Sequence, residues 1–447
     1  MNSNILFFVI DGFRADYCNN ENKLSFTPNL DKLIKNGVSF NQAISSADAT
    51  SVSLGSIFTG LNPYNSEIYT FKTKTNKQNF FNHLQKLDYN LYLTLPNSMA
   101  IKRISSNINS PKSIFQSQFH HLDEGYGDEI LKKLDESNLK QPWFHLIHLM
   151  DLHHPIIIPQ EFDSKKFGTN DYEKSISVTD YWLGKFLEKI DLNSTLVIIT
   201  ADHGEYVSLS ETRDLDYEPE FKNMIKIATK ILPKNLKPFA IKITQNIKTS
   251  IKNIRFNNAT KKLTNLQKRN LRTRAGLYLY DDLIRVPLIF TGNCIFTKKI
   301  IPHQIASIGI FPTILDLVEL PQMDEKIDGE SLISLIKNQS FIEKPIYIES
   351  AAVTPPPELT GNVVGIRTPQ FKYFRSRKNP KQNVHLYDLK NDPLEETNLI
   401  KIDSEMVDKM ELILLNFLKK SKPSISKNIV DEETQEILKE LKKLGYM

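Results

Sequence analysis

Three short segments, far apart in the chain, carry side chains that could together bind a divalent cation and attack an ester. They supply two carboxylates, a hydroxyl and an imidazole: Asp11, Thr50, Asp202 and His203. Carboxylate and imidazole groups are common ligands of divalent metals, and metal coordination activates a hydroxyl as a nucleophile. The sequence therefore predicts one divalent metal ion held by these four residues, with Thr50 also serving as the attacking group.

The two carboxylates come within two residues after apolar runs that are predicted to be buried strands. Asp11 follows Ile5–Ile10, and Asp202 follows the run Leu196–Thr200 with one residue between them. Open α/β sheets bind ligands at the carboxyl ends of their parallel strands, so both side chains are expected at one edge of one sheet.

Thr50 opens a run that ends at Gly60 and that is predicted to be a helix. The pattern predicts a helix beginning near Ser51, with Thr50 as its N-cap. A helix N-terminus offers free N–H groups and a partial positive charge to an anionic ester. Ser51 is the alternative nucleophile.

Apolar runs recur along the chain and alternate with helical patterns. Further runs are found at 91–95, 143–150, 286–290 and 345–348, and helical spacing is found at 28–35 and 179–190. This alternation predicts an α/β fold, a three-layer sandwich with a mostly parallel central sheet. Short runs at 363–367, 371–375 and 384–389 predict antiparallel strands of a small C-terminal α+β subdomain. We therefore divide the chain into a catalytic domain, 1–360, and a subdomain, 361–447, which ends in a charged helix at 431–444.

The composition is that of an ordinary globular protein, with 40% hydrophobic and 24% charged residues among 447. The chain has two cysteines, Cys18 and Cys294, and is therefore not expected to depend on a disulfide framework. The sequence shows no signal-peptide pattern and no apolar run near the ~20 residues that span a bilayer. A cytoplasmic location is the expectation.

A strongly basic segment interrupts this ordinary composition. Residues 221–280 contain 15 Lys or Arg and no Asp or Glu, although the net charge of the whole chain is only +5. We interpret about 209–274 as a basic insertion that follows the Asp202–His203 pair. Three interpretations stay open: a solvated surface lobe, a cap that attracts an anionic substrate, or a contact with a membrane surface or nucleic acid.

The ordered set of motifs resembles the sulfatase family of the alkaline phosphatase superfamily. Besides the segments around Asp11, Thr50 and Asp202, the resemblance extends over about residues 4 to 400. Its motifs are Thr27-Pro28-Asn29-Leu30, Asn36-Gly37-Val38, Met150-Asp151-Leu152-His153-His154-Pro155, Tyr280-Asp281-Asp282, Arg285-Val286-Pro287 and His385-Leu386-Tyr387-Asp388. Each motif is weak alone, and their shared order carries the resemblance.

The resemblance implies a threonine nucleophile rather than formylglycine. Many sulfatases carry a modified cysteine ten positions before the residue that matches Gly60, and this chain has Thr50 there. Neither Cys18 nor Cys294 lies in the Cys-x-Pro-Ser-Arg setting that the modification requires. Family members with threonine here attack directly with the hydroxyl.

The resemblance also implies roles for the metal and for a proton donor. Calcium-bearing sulfatases often have a second Asp at the position of Gly12. Because this chain lacks that carboxylate, manganese or zinc is the favoured metal, with calcium as the alternative. His153 matches the histidine that contacts the ester and protonates the leaving group, and His154 is its alternative. Asp151 with His153 could instead form a second metal site.

One departure from the family weighs against two metals. The family often has Lys or His near the position of Ala275, and this chain has neither there. Arg274 or Arg272 is the candidate to replace that side chain. Arg14 is expected to support the loop after the first strand. The remaining histidines are expected to be structural or surface residues: His83, His120, His121, His145, His148, His303 and His385.

These features predict a metal-dependent hydrolase of a sulfate or phosphate ester that acts through a covalent threonine intermediate. A sulfated threonine lacks the carbonyl-forming exit of a sulfated formylglycine hydrate, so the mechanism favours a phospho-ester. The expected partner is an anionic ester, on a glycan or a lipid. Two alternatives stay open: a phosphotransferase that moves a phospho-alcohol group onto a glycan or lipid, and a non-catalytic polyanion-binding protein.

Overall fold

The computed structural model describes residues 3–19, 22–70, 72–98, 102, 114–135, 139–207, 254–255, 258, 260–271, 277–351 and 362–420. The chain forms two compact units, one of residues 1–205 with 274–447 and the other of residues 206–273. The fold and the site described below belong to the first unit. Most of the basic segment lies outside the described residues, as do Arg272, Arg274, Ala275 and the predicted helix at 431–444.

The described residues of the first unit form a large sheet of eight strands in the order β4-β3-β5-β1-β6-β7-β2-β8. Its strands are β1 (Asn4–Ile10), β2 (Val38–Ile44), β3 (Asn90–Leu95), β4 (Ile114–Gln116), β5 (Trp143–Leu149), β6 (Thr195–Thr200), β7 (Arg285–Gly292) and β8 (Lys299–Ala306). Every neighbouring pair is parallel except the two pairs that include β7. The predicted α/β fold with a mostly parallel sheet is therefore confirmed.

A second sheet has four antiparallel strands in the order β12-β11-β10-β9. They are β9 (Ile346–Glu349), β10 (Val363–Arg367), β11 (Phe371–Ser376) and β12 (His385–Asp388). The small antiparallel sheet was predicted, but it includes β9 and so begins before residue 361, where the sequence division was drawn. β9 ends at Glu349 and its partner β10 begins only at Val363, a pairing that local sequence spacing does not reveal.

The helices of the first unit lie between and beside these strands. They are α1 (Ala15–Cys18), α2 (Pro28–Asn36), α3 (Thr50–Thr59), α4 (Pro63–Ser66), α5 (Phe80–Lys86), α6 (Tyr126–Lys133), α7 (Asp171–Leu187), α9 (Asp281–Ile284), α10 (Ile310–Leu317), α11 (Ile333–Ile336) and α12 (Ser404–Lys420). The described residues of the second unit include the short helix α8 (Asn265–Asn270). Short 3-10 turns are found at Leu122–Glu124, Gln160–Phe162, Ser307–Gly309 and Leu399–Lys401. Within the described residues, no helix is both long and apolar enough to cross a membrane.

Helices cover both faces of the large sheet because successive strand residues point to opposite faces. Phe8 of β1 stacks on Phe186 of α7, with 6.1 Å between ring centroids. Its neighbour Phe7 contacts Phe144 of β5 at 6.3 Å, and Phe144 contacts Phe80 of α5 at 5.3 Å. All of β1 is buried, as expected of a central parallel strand.

Candidate active site

The sheet brings the two predicted carboxylates together through its strand register. β1 and β6 are parallel neighbours in which Val9 lies opposite Thr200. Continuing this register by two residues brings Asp11 opposite Asp202, just beyond the ends of both strands. Asp11 and Asp202 are 1% and 0% exposed. Two buried carboxylates this close repel each other when both are ionised, so the arrangement calls for positive charge between them.

Asp202 is held by hydrogen bonds from three different segments. The backbone N–H groups of Gly12 and His203 donate to its Oδ1, at 3.3 and 2.8 Å. The hydroxyls of Ser45 and Ser53 donate to its backbone carbonyl, at 2.6 and 2.5 Å. None of these four bonds involves Oδ2, which lies 3.4 Å from Nε2 of His203.

His203 presents its Nε2 atom to the carboxylates. Its Nδ1 lies 2.8 Å from the carbonyl oxygen of Gly204, which can only accept, so Nδ1 carries the proton. Nε2 lies 3.4 Å from Asp202 Oδ2 and 3.8 Å from Asp11 Oδ1. A ring nitrogen whose partner nitrogen donates to a backbone carbonyl is the usual arrangement of a metal-binding histidine.

Thr50 completes the group from the first residue of the helix α3. Its Oγ1 lies 3.2 Å from Asp11 Oδ2 and 3.3 Å from His203 Nε2. The prediction that Thr50 is the N-cap is wrong, because the helix begins at Thr50 and Ala49 is its N-cap. The hydroxyl therefore turns to the carboxylate and the imidazole instead of capping the helix.

The atoms of this group fit a bound cation. Ligand atoms of Asp11, Asp202 and His203 all lie within 4.8 Å of one another. Within the part of the chain that the structure describes, Asp11 Oδ1 and Asp202 Oδ2 are buried and have no hydrogen-bond partner. Buried carboxylate oxygens are normally hydrogen-bonded or bound to a metal. Two carboxylates, an imidazole and a hydroxyl suit manganese or zinc, and carboxylate oxygens also suit calcium.

His148, which the sequence interpretation left among the structural histidines, also contacts this group. It is fully buried on β5, and its Nε2 lies 3.4 Å from Asp11 Oδ2. Burial by itself raises the pKa of Asp11, but the contact with His148 and the charges of His203 and His153 outweigh burial and hold that pKa well below its usual range. The one sequence signal for His148 is its strand position, since β5 pairs with β1 and brings His148 opposite Val9.

Arg14 supports the loops around the site, as predicted. It donates to Asp16 and to Asp282 at 2.7 Å each, and to the backbone carbonyl of Glu205 at 3.3 Å. The guanidinium therefore connects the loop after β1 to the loop after β6 and to the segment before β7. Asp16 and Asp282 also balance its charge, so Arg14 is not available as an anion ligand.

His153 and Asp151 lie in the loop after β5. His153 is partly exposed, its Nδ1 donates to the His154 carbonyl at 2.8 Å, and its charge reaches Asp11. His154 is exposed. Asp151 is buried, and its Oδ1 accepts the N–H of Leu122 at 2.9 Å. Among the described residues, the group with metal-ligand spacing is that of Asp11, Asp202 and His203, and it does not include Asp151 or His153.

Comparison with known proteins identifies the family. A family model described as Sulfatase matches residues 3–320. A second model, described as N-sulphoglucosamine sulphohydrolase, C-terminal, matches residues 276–423. The first match covers more than half of the chain, so the chain belongs to the sulfatase family. The predicted family and its class, an ester hydrolase, are confirmed.

Individual relatives are distant. Arylsulfatase K of Mus musculus is 23% identical over 329 residues, which are 68% of this chain and 55% of that protein. The chain thus spans about half the length of this relative. A solved 2-O GAG sulfatase has a TM-score of 0.64 at 15% identity, with 97% of this chain and 96% of that chain covered. Phosphonate monoester hydrolase of Agrobacterium radiobacter has a TM-score of 0.64 at 15% identity, with 94% and 96% covered. At such identities the two structures establish the shared fold alone.

Proposed function

We propose that this protein is a metal-dependent hydrolase of anionic esters in which Thr50 carries the transferred group. The observation that supports the proposal is the meeting of Asp11, Thr50, Asp202 and His203, which come from three distant segments. Two buried carboxylate oxygens in this group lack a hydrogen-bond partner among the described residues, as a cation site requires. A purely structural cluster would satisfy those oxygens with protein donors.

Asp11, Asp202 and His203 would hold the cation, with Thr50 as the fourth ligand. When bound, a divalent metal polarises the ester and lowers the pKa of a coordinated hydroxyl. The protein itself contributes a nucleophile fixed at a helix start, next to free N–H groups that favour an anionic substrate. Asp11 Oδ2, 3.2 Å from Thr50 Oγ1, is the nearest acceptor for the hydroxyl proton.

The reaction then takes two displacements at the phosphorus or sulfur atom. In the first, Thr50 Oγ1 forms a bond to that atom, the bond to the alcohol oxygen breaks, and the alcohol leaves. His153 donates the proton that the alcohol oxygen needs, through Nε2, because Nδ1 is bonded to the His154 carbonyl. In the second, water attacks the same atom, Thr50 Oγ1 leaves and regains a proton from that water, and the remaining sulfate, phosphonate or phosphate monoester is released.

The nucleophile favours a phospho-ester over a sulfate ester. A phosphorylated threonine is cleared by attack of water at phosphorus, whereas a sulfated threonine lacks the carbonyl-forming exit that formylglycine provides. The family name points instead to sulfate esters, and fold similarity to a phosphonate monoester hydrolase is equally compatible with either. We therefore propose an anionic ester as the substrate class, with a phosphate diester or phosphonate as the favoured member.

A glycan is the favoured carrier of the ester. One similar structure is named as a 2-O GAG sulfatase, and one matching family model is named for N-sulphoglucosamine sulphohydrolase. Both names denote sulfated sugars, which are anionic and polar. A sugar-borne ester is accordingly the first natural substrate to test.

The test is turnover of matched aryl esters by the full chain, stripped of metal and then loaded with manganese or zinc. The three esters are an aryl phosphate diester, an aryl phosphonate and an aryl sulfate with the same leaving group. We expect metal-dependent turnover that Thr50→Ala lowers by about a thousandfold or more. Thr59→Ala, at the other end of the same helix, is the matched control. Undiminished turnover in Thr50→Ala would refute Thr50 as the nucleophile.

A further inference from the structure

Two adjacent histidines beside Asp151 have no role in the proposed mechanism. His121 is 8% exposed, and its Nδ1 lies 3.9 Å from Asp151 Oδ1. The ring of the partly exposed His120 lies 6.3 Å from the ring of His121, centroid to centroid. In the described ranges of the chain, His121 Nδ1 and Asp151 Oδ2 are buried and lack a hydrogen-bond partner. We call His120 and His121 the histidine pair.

The pair is mounted on a well-anchored loop. Asp151 Oδ1 accepts the N–H of Leu122 at 2.9 Å, and Ser175 donates to the Asp151 carbonyl at 2.7 Å. Four residues after Leu122, the hydroxyl of Tyr126 donates to the carbonyls of Thr94 and His148, at 2.9 and 2.8 Å. These bonds fix the loop against β3 and β5, so the pair is preorganised rather than carried on a loose surface segment.

His153 connects the pair to the candidate active site. Its charge lowers the pKa of Asp11 on one side, and on the other it acts on both members of the pair. The loops that carry Asp11, His153 and the pair also leave the same edge of the sheet, because β1, β5, β3 and β4 are successive parallel neighbours. The rest of a substrate whose ester lies against Thr50 and His153 can therefore extend toward the pair.

Titratable groups of both signs surround the pair. Burial lowers the pKa of His120 and of His121, Glu124 raises both, and His153 lowers both. His120 also lowers the pKa of His121. Asp151 faces His121 from the loop after β5. An anion that accepts hydrogen bonds from both rings would relieve the repulsion among the imidazoles and restore their protonation.

We propose that His120 and His121 bind a second anionic group of the substrate, a carboxylate or a sulfate carried near the ester that is cleaved. This inference rests on the proposed function and narrows it, because it selects esters with two negative groups. Imidazole N–H groups donate hydrogen bonds to oxyanions. The pair would thus set specificity and would leave the bond-breaking step to Thr50 and His153.

Two matched aryl esters test the proposal. They share one leaving group and one scissile phosphate diester, and only one of them carries an additional carboxylate on its second aryl ring. In the double variant His120→Gln with His121→Gln, we expect kcat/KM for the carboxylated ester to fall about tenfold or more. For the ester without the additional carboxylate, kcat/KM should change less than about twofold. His303→Gln, on β8 at the far edge of the sheet, is the control.

An equal loss for both esters would overturn the proposal, because the pair would then act on the scissile group or on stability. No loss for either ester would overturn it as well. If the wild-type protein turns over neither ester, the proposed function fails, and a binding measurement decides about the pair. Imidazole nitrogen resonances of His120 and His121 are followed as sodium sulfate is added at constant ionic strength. Saturable shifts of these two resonances, with no shift at His303, would support the pair as an anion site, and flat resonances would refute it.

Discussion

At the scale of single residues, the contact between His148 and Asp11 shows how a buried neighbour tunes a metal ligand. His148 touches Asp11 Oδ2 and does not belong to the group of three ligands. We expect His148→Ala to weaken manganese or zinc binding by about 10–100-fold, because residues that orient metal ligands carry effects of this size. Calorimetric titration of the metal-free protein measures the affinity directly, without any turnover.

The matched control for that variant is His145→Ala. His145 lies on the same strand, is equally buried and bonds to Thr94 at 2.8 Å. Burial lowers the pKa of His145 to about 3, so this ring is neutral. If both variants reduce metal affinity alike, the effect comes from packing of the strand, and His148 has no special role.

Asp151 should make stability depend on pH. Burial, together with the charges of Asp123 and Glu124, raises the pKa of Asp151 to about 7, against an ordinary value of about 3.9 for an unfolded Asp. Between these values the folded protein keeps a proton that the unfolded chain releases, so stability falls as pH rises through this window. Asp151→Asn, which stays neutral, should raise the unfolding midpoint at pH 8 by roughly 2–5 °C. At pH 4, where the wild-type carboxyl is protonated when folded, the two midpoints should nearly agree. An equal difference at both pH values would contradict this account.

At the scale of elements, the strands that end at the site could be predicted from the sequence, and several others could not. Continuous apolar runs marked β1 and β6 because both are buried on each face. β2 was missed because Asn41 and Gln42 interrupt it, and β8 because it is an edge strand with polar and exposed positions. β4 has only three residues.

The candidate site was predictable where its residues follow a strand, and unpredictable where they depend on register. Asp11 and Asp202 come directly after apolar runs, so their meeting followed from the parallel sheet. The approach of His148 to Asp11 depends on how β5 pairs with β1, and the approach of His121 to Asp151 depends on loop packing. Neither of these two contacts produces a residue spacing from which it could be predicted.

The loop after β6 depends on a glycine for its close packing. A Cβ at Gly204 would lie 2.1 Å from the carbonyl oxygen of Asp282, so the backbone would have to move. We expect Gly204→Ala to lower the free energy of unfolding by about 2–4 kcal/mol and to weaken metal binding, since His203 precedes it. Denaturant unfolding and metal titration measure the two effects.

Gly12→Ala provides the comparison for Gly204→Ala. A Cβ at Gly12 would make only ordinary contact, 3.6 Å from the Glu205 side chain, although its φ of +72° is in the left-handed region. The expected cost is therefore only the strain of that conformation, about 1–2 kcal/mol. A smaller effect for Gly204→Ala than for Gly12→Ala would contradict the packing argument.

At the scale of the whole molecule, a buried ion-pair network connects the small sheet to the start of β7. Lys372 of β11 is fully buried and pairs with Asp281 at 2.6 Å and Glu395 at 2.7 Å. Arg367 of β10 pairs with Asp281 at 2.8 Å. Burial alone raises the pKa of Asp281, but Arg367 and Lys372 outweigh it and hold that pKa well below its usual range.

Removing one partner of this network should leave buried charge without compensation. We expect Lys372→Ala to lower the free energy of unfolding by about 3–5 kcal/mol. Lys381→Ala, at an exposed position between β11 and β12, should change it by less than about 0.5 kcal/mol. Equal and small effects in urea unfolding would show that the network adds little to stability.

Two whole-molecule expectations stay predictions. The cytoplasmic location rests on sequence pattern alone. The role of the basic segment at 221–280 does too, because most of it lies outside the described residues. The proposed metal dependence and nucleophile rest instead on described atoms, those of Thr50 and the three residues around it.

The most direct test of the central claim is intact-protein mass spectrometry after rapid quench. The metal-loaded chain is mixed with an aryl phosphate diester or an aryl sulfate and quenched, and its intact mass is measured. The same sample is then digested so that the adduct can be assigned to a residue. We expect a substrate-derived phosphoryl adduct on Thr50 that is absent in Thr50→Ala. Turnover without an adduct, or an adduct on Ser51, would contradict Thr50 as the covalent carrier. A sulfuryl adduct on Thr50 would keep the nucleophile and overturn the preference for phospho-esters.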